Sequence, residues 1–231
     1  MTDSQNDVPI QAISSSESQA ELEHLLAQHQ QRLAALDAGA EPAAAARIQL
    51  DIAEALRGLN RKTEAWETAR AAFDTFIAHD HWQEAVEACD ILYQLDLPES
   101  LHALGNGTWL AVTWPIDAQT SIAMLQHIVD ETPPQSDGAA VAAATACYLA
   151  ELRTEGASHE SLTFLAAQIL AQVAKRHRGI EGEEMIKLWM ETLELNDPEA
   201  FLPRLARILD VIVDGHWWYD RDALRQRLPV N

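Results

Sequence analysis

Apolar residues recur at intervals of three and four along almost all of this 231-residue chain. That spacing places them on one face of a helix with 3.6 residues per turn, so a helical fold class is imposed before any motif is considered. Punctuation divides the pattern. Capping-box spacings at Ser14 and Ser16 introduce a helix to about Asp37, after a polar tail over 1–13 read as disordered. Glu41-Pro42 opens a second helix, to Leu59, with proline in the first turn where its missing N–H costs nothing. A third spans about Thr63 to Ala78. A fourth opens at Asp80 and ends before Pro98. Connections this short fold neighbouring helices back on one another.

One stretch departs from the pattern. Gly105-Asn106-Gly107 reads as a turn, and Thr108 to Trp114 is β-branched and aromatic, so a short strand or hairpin is expected near 101–114. Trp114 precedes Pro115 and is biased to extended backbone. Asp117 or Thr120 then caps a helix carrying Ile122, Leu125, Ile128 and Val129. Beyond the Thr132–Gly138 loop, Asp137 and Ser158 are read as caps of the next two helices. Asp197-Pro198 opens another, which ends at Asp214-Gly215. The expected architecture is mainly α: stacked helical hairpins over 14–100, a β element over 101–116, and a helical layer over 117–231.

Composition narrows the function. The formal net charge is −20. Residues 1–140 hold 22 acidic and 6 basic side chains, so the acidity lies mainly in the first part of the chain. Such a field repels nucleic acid and anionic membranes and suits a basic protein partner. Cys89 and Cys147 lie in apolar helical segments without zinc spacing, and the acidic start MTDSQNDVPI has no signal-peptide pattern. A cytoplasmic location is expected. No phosphate loop, dinucleotide fingerprint or nucleophile elbow is present, and no cofactor is expected.

Ala65 opens the third helix as a small residue, with Ile52, Ala53 and Leu56 on the helix before it and Ala72 after it. Over about residues 43–95 this arrangement resembles a tetratricopeptide repeat. The His81–Ala85 echo comes after twenty residues rather than the family's 34, and the closing proline is missing. The resemblance implies a protein-binding concave face. The remainder is similar to bacterial proteins of uncharacterised function, a likeness without a motif that carries an activity.

The leading expectation is a non-catalytic adaptor or assembly factor, with Trp66, Trp82, Trp109, Trp114, Trp217 and Trp218 as partner-contacting residues, since exposed aromatics dominate binding hot spots. The alternative is a metal-dependent enzyme. His127, Asp130 and Glu131 share one helix turn, and imidazole with carboxylates suits a divalent ion. A third reading is self-association, with 108–114 pairing across a two-fold axis.

Overall fold

The structure is a computed structural model that describes residues 10–37 and 39–228, with side chains from Ser18 onward. Eleven α-helices and no strand occur among the described residues. The chain divides into two compact units, residues 1–81 and 82–231. The expected tail over 1–13 falls mostly outside the described residues, but its last four are already helical.

The first unit holds α1 (Ile10–Ala34), α2 (Pro42–Gly58) and α3 (Lys62–Ala78). Glu41 and Pro42 open α2 as their residue types dictate. Small residues let the helices approach closely: Ala53, Ala65, Ala69 and Ala72 are wholly buried beside Leu50, Phe73 and Phe76. Asp51 on α2 lies 3.0 Å from Arg47, 3.7 Å from Arg32 and 3.8 Å from His29, which ties α1 to α2. The α2–α3 connection turns on Asn60, at φ 57°, while the Arg61 amide donates back to the Leu56 carbonyl at 2.9 Å. Asn tolerates the left-handed region better than most side chains, so it ends this helix in place of glycine. The same device recurs after α3. Asp80, at φ 64°, is the left-handed residue of a helix end, not the cap of the next helix.

The second unit holds α4 (Trp82–Gln94), α5 (Ser100–Thr113), α6 (Ala118–Glu131), α7 (Asp137–Arg153), α8 (Gly156–Arg178), α9 (Glu183–Thr192), α10 (Pro198–Val213) and α11 (Arg221–Arg225). Its organising element is α5, which packs against α4, α6 and α10. The expected strand is therefore absent: 101–104, the glycine pair and 108–113 all belong to one helix. Burial is the physical reason. Every residue from Ala103 to Ala111 is buried, so apolar and β-branched types are required here by the core and not by a sheet. The glycines are contact points. A Cβ on Gly105 would lie 2.4 Å from Val213 Cγ2, and one on Gly107 would lie 2.5 Å from Cys89 Cβ. Without side chains there, α10 and α4 approach the α5 backbone.

Several expected caps form. Asp117 accepts from the Thr120 amide and Asp197 from the Glu199 amide, at 3.0 and 2.9 Å. Others shift. Ser136, not Asp137, caps α7. Helix α8 opens at Gly156, so Ser158 is already inside it. Asp137 instead faces His177 at 3.3 Å and Arg204 at 3.7 Å. His177 is buried on α8. Its Nδ1 accepts from Trp189 Nε1 at 3.3 Å, so Nε2 carries the proton and donates to the Gln135 carbonyl at 3.2 Å. These two bonds fasten α8 to α9 and to the α6–α7 loop.

Candidate protein-binding groove

Two features of the second unit gather the residues singled out in the sequence. The first is an aromatic and arginine cluster. Trp82 and Trp114 stack with ring centroids 4.1 Å apart and planes 12° apart. Trp109 lies 5.4 Å from Tyr219 and 6.4 Å from Trp217. Three arginines of the C-terminal segment cover these rings: Arg221 lies 3.8 Å above Trp217, Arg225 5.5 Å from Trp109 and Arg227 5.1 Å from Trp82. Trp109 and Trp114 are buried within this cluster, and Trp82, Trp217 and Trp218 are half-buried. Trp66 is half-buried on α3 in the first unit.

The segment His216–Tyr219 is held by Asn106. The Asn106 amide nitrogen donates to the carbonyls of His102 and His216, at 2.8 and 3.3 Å. Its side-chain oxygen accepts from the Trp218 amide at 3.0 Å. Its backbone carbonyl accepts from the Tyr219 hydroxyl at 2.6 Å. Burial pushes the Tyr219 phenol above its ordinary value. His102 and His216 stack with centroids 4.4 Å apart. The signal for this pin was visible in the sequence as one amide between two glycines in an otherwise apolar run.

The C-terminal end of α5 is closed by Arg153 of α7. Its guanidinium donates to the carbonyls of Ala111, Val112 and Ile116 at 2.7, 2.9 and 3.3 Å. Burial draws Arg153 below the ordinary guanidinium range. Burial likewise raises the Cys147 thiol to about 11, with Glu151 adding to the shift, so this cysteine is a poor nucleophile.

The second feature is a groove on the same unit. Ser100 shapes one end, donating to the Leu92 carbonyl at 2.8 Å and accepting from the Leu97 amide at 3.0 Å. That joint fixes the connection from α4 into α5, where Leu101 lies at the surface. On the far side Arg176 donates to the Val129 carbonyl at 2.8 Å, and Thr132 Oγ1 to the Ile128 carbonyl at 2.6 Å, which fixes the C-terminal end of α6. The groove between them has an apolar cavity of about 400 Å³ whose wall includes Leu101, Pro133, Ile208, Val211 and Ile212. A second, more polar cavity of about 430 Å³ shares Leu101 and Glu131 with it and extends to Tyr93 and Asp96. Val211 is 79% exposed and Leu101 42% exposed, unusual positions for apolar side chains that adjoin each other along one groove.

The three residues expected to hold a metal separate here. His127 Nε2 lies 3.0 Å from Asp90 Oδ1, and Gln126 donates to Asp130 at 2.9 Å. Glu131 accepts from the Tyr93 hydroxyl at 2.7 Å. Burial and this carboxylate hold the Tyr93 phenol above its ordinary value. Among the described residues no group of three His, Cys, Asp or Glu side chains is placed to hold a metal ion. Glu131 is instead a groove residue. No strand edge exists at 108–114 for a second copy to pair with, because 108–113 are helical and Trp114 caps that helix. Among the described residues, no helix is long and apolar enough to cross a membrane. Compared with known proteins, the chain matches no family profile, no curated protein and no solved structure.

Proposed function

We propose that the protein is a non-catalytic interaction module whose second unit binds a segment of a partner protein in the groove between α5, the α6–α7 loop and α10. The observation that carries this reading is the run of apolar side chains left open along one groove, with Val211 79% exposed. Apolar grooves with polar edges on rigid helices are the common receptors for peptide segments. Of the six tryptophans expected to touch a partner, Trp82, Trp109, Trp114 and Trp217 take a supporting role in this reading. Trp109 and Trp114 are packed inside the unit, and the C-terminal arginines cover Trp82, Trp109 and Trp217. The tetratricopeptide resemblance belongs to the same reading at the level of a helical hairpin, supported by the wholly buried Ala53, Ala65, Ala69 and Ala72 of α2 and α3.

The test is a photo-crosslinking residue at position 211, used in the native host with the full chain. One discrete adduct is expected, lost when Ile208→Glu is added and absent when the crosslinker is moved to exposed positions in the first unit. Equal labelling from both places would remove the groove as the binding site.

A further inference from the structure

We infer that the occupant of this groove is an amphipathic helix of a partner protein, with lysine or arginine along the flank that faces α4 and α6. The inference rests on the groove reading above and adds the chemistry of the partner. Between Arg70 and Arg153 the sequence contains no lysine or arginine at all. The part of this stretch in the second unit, residues 82–152, holds ten aspartates and glutamates. It includes α4, α5, α6 and the α6–α7 loop, so the side chains these elements bring to the groove are neutral or acidic, and the cation beside them, Arg176 of α8, is engaged with the Val129 carbonyl.

Glu131 lines the apolar groove and, with Asp96, the polar cavity that continues from it, and Glu99 and Asp130 stand exposed next to these in the chain. The opposite edge, on α10, differs. Arg207 lines it, and Asp210 is already paired with Arg221 at 2.8 Å. The groove is therefore apolar along its floor, acidic on one side and cationic at one point on the other. A cationic flank on the occupant matches the first edge, and an acidic side chain opposite Arg207 would fix its direction.

The occupant is helical for a reason of backbone chemistry. No strand occurs among the described residues, so the groove offers no ladder of amides and carbonyls to an extended peptide. An extended segment laid on the apolar floor would leave its own backbone groups unpaired, whereas a helix satisfies them internally. The acidic edge repels phosphate backbones and anionic lipid, which leaves a protein helix as the matching ligand class.

The test uses a phage-displayed library of 16-residue peptides selected on the full chain and counter-selected on Val211→Glu. Because Val211 is largely exposed, that variant should keep the wild-type circular dichroism and melting point. Selected peptides are then measured against Asp96→Asn/Glu131→Gln. Asp96 sits at φ 52°, which Asn tolerates, and the amide oxygen introduced by Glu131→Gln still accepts from Tyr93, so this variant should keep the wild-type circular dichroism, which is checked first. The expected result is a set of sequences with apolar residues at i, i+3 or i+4 and i+7 and an excess of Lys and Arg. Their affinity should fall about tenfold in the double variant and lose most of its salt dependence. Peptides that need an intact Val211 but are neutral or acidic, and that ignore the double variant, would overturn the charge inference and leave the groove standing. Failure of any sequence to distinguish wild type from Val211→Glu would overturn both.

Discussion

Asn106 holds together parts of the chain 110 residues apart. It is wholly buried, and its two side-chain ends reach a donor and an acceptor of the C-terminal segment in the only amide orientation that satisfies both. Removing it takes the side-chain partner from the Trp218 amide and the His216 carbonyl. Asn106→Ala should therefore cost about 1–3 kcal/mol in urea unfolding, from the bonds lost at the half-buried Trp218 and the exposed His216. The tryptophan emission of the folded state should also shift as the 216–219 segment loosens. A loss below about 1 kcal/mol with unchanged emission would show that the ring contacts alone hold the segment.

Two tyrosines set a second expectation at this scale. Tyr93 and Tyr219 both have phenols raised above the ordinary value of about 10. Above that pH an unfolded chain ionises its tyrosines while the folded chain keeps these two protons. The unfolded state then binds fewer protons, so stability falls as pH rises. The contribution is whole below about pH 10 and is lost as pH climbs through the folded-state values. Urea midpoints measured between about pH 9 and 11.5 should drop, and Tyr93→Phe should flatten part of the slope. Parallel slopes for the two proteins would exclude Tyr93 as a source.

At the scale of the element, α5 is the helix around which the second unit is built. Glycine in a helix interior normally costs about 1 kcal/mol against alanine, so Gly→Ala at an open site would stabilise it. At Gly105 the sign reverses, because the new Cβ would meet Val213 Cγ2 at 2.4 Å. Gly105→Ala should destabilise by about 1–3 kcal/mol. In a Val213→Ala background, which removes the clashing methyl, the penalty should shrink by at least about 1 kcal/mol. Additive costs in that double-mutant cycle would mean that the clash is not the reason for glycine.

The helix ends show how far local chemistry reaches. Pro42, Asp117 and Asp197 start helices where their residue types say they should. Other helix ends are less legible, because Asp80 and Glu194 take the left-handed conformation that glycine usually supplies, as Asn60, Asp96 and Asp214 do at ends the sequence already marks. Asn and Asp serve both as N-caps and as left-handed terminators, so the letter alone does not distinguish the end of one helix from the start of the next. That ambiguity is why Asp80 reads as a start and is a stop.

Across the whole molecule, charge is the largest effect that can be read without any coordinates. A net charge of −20 on 231 residues opposes compaction by self-repulsion. The exposed ion pairs act the other way, but each is worth about 0–1 kcal/mol and is itself screened. With 36 acidic side chains against 16 basic ones, repulsion outweighs pairing. The melting temperature should therefore rise by several degrees between about 10 and about 300 mM NaCl. A flat or falling dependence would mean that local pairs offset the excess charge.

Periodicity, proline and capping residues determined by themselves that this protein is helical, and roughly where most helices begin. Those signals are local, because a helix satisfies its backbone within one segment and shows its buried face at fixed spacing. The role of 101–114 was decided only by tertiary structure. β-branched and aromatic residues beside glycine fit an isolated strand and equally a helix buried on every side, and which one forms depends on what packs against it. The groove belongs to the same class of fact. Leu101, Glu131 and Val211 stand far apart in sequence on three different helices, and each alone is an ordinary surface residue. Only the packing of α5, α6 and α10 brings them to one place, and no local preference encodes that meeting.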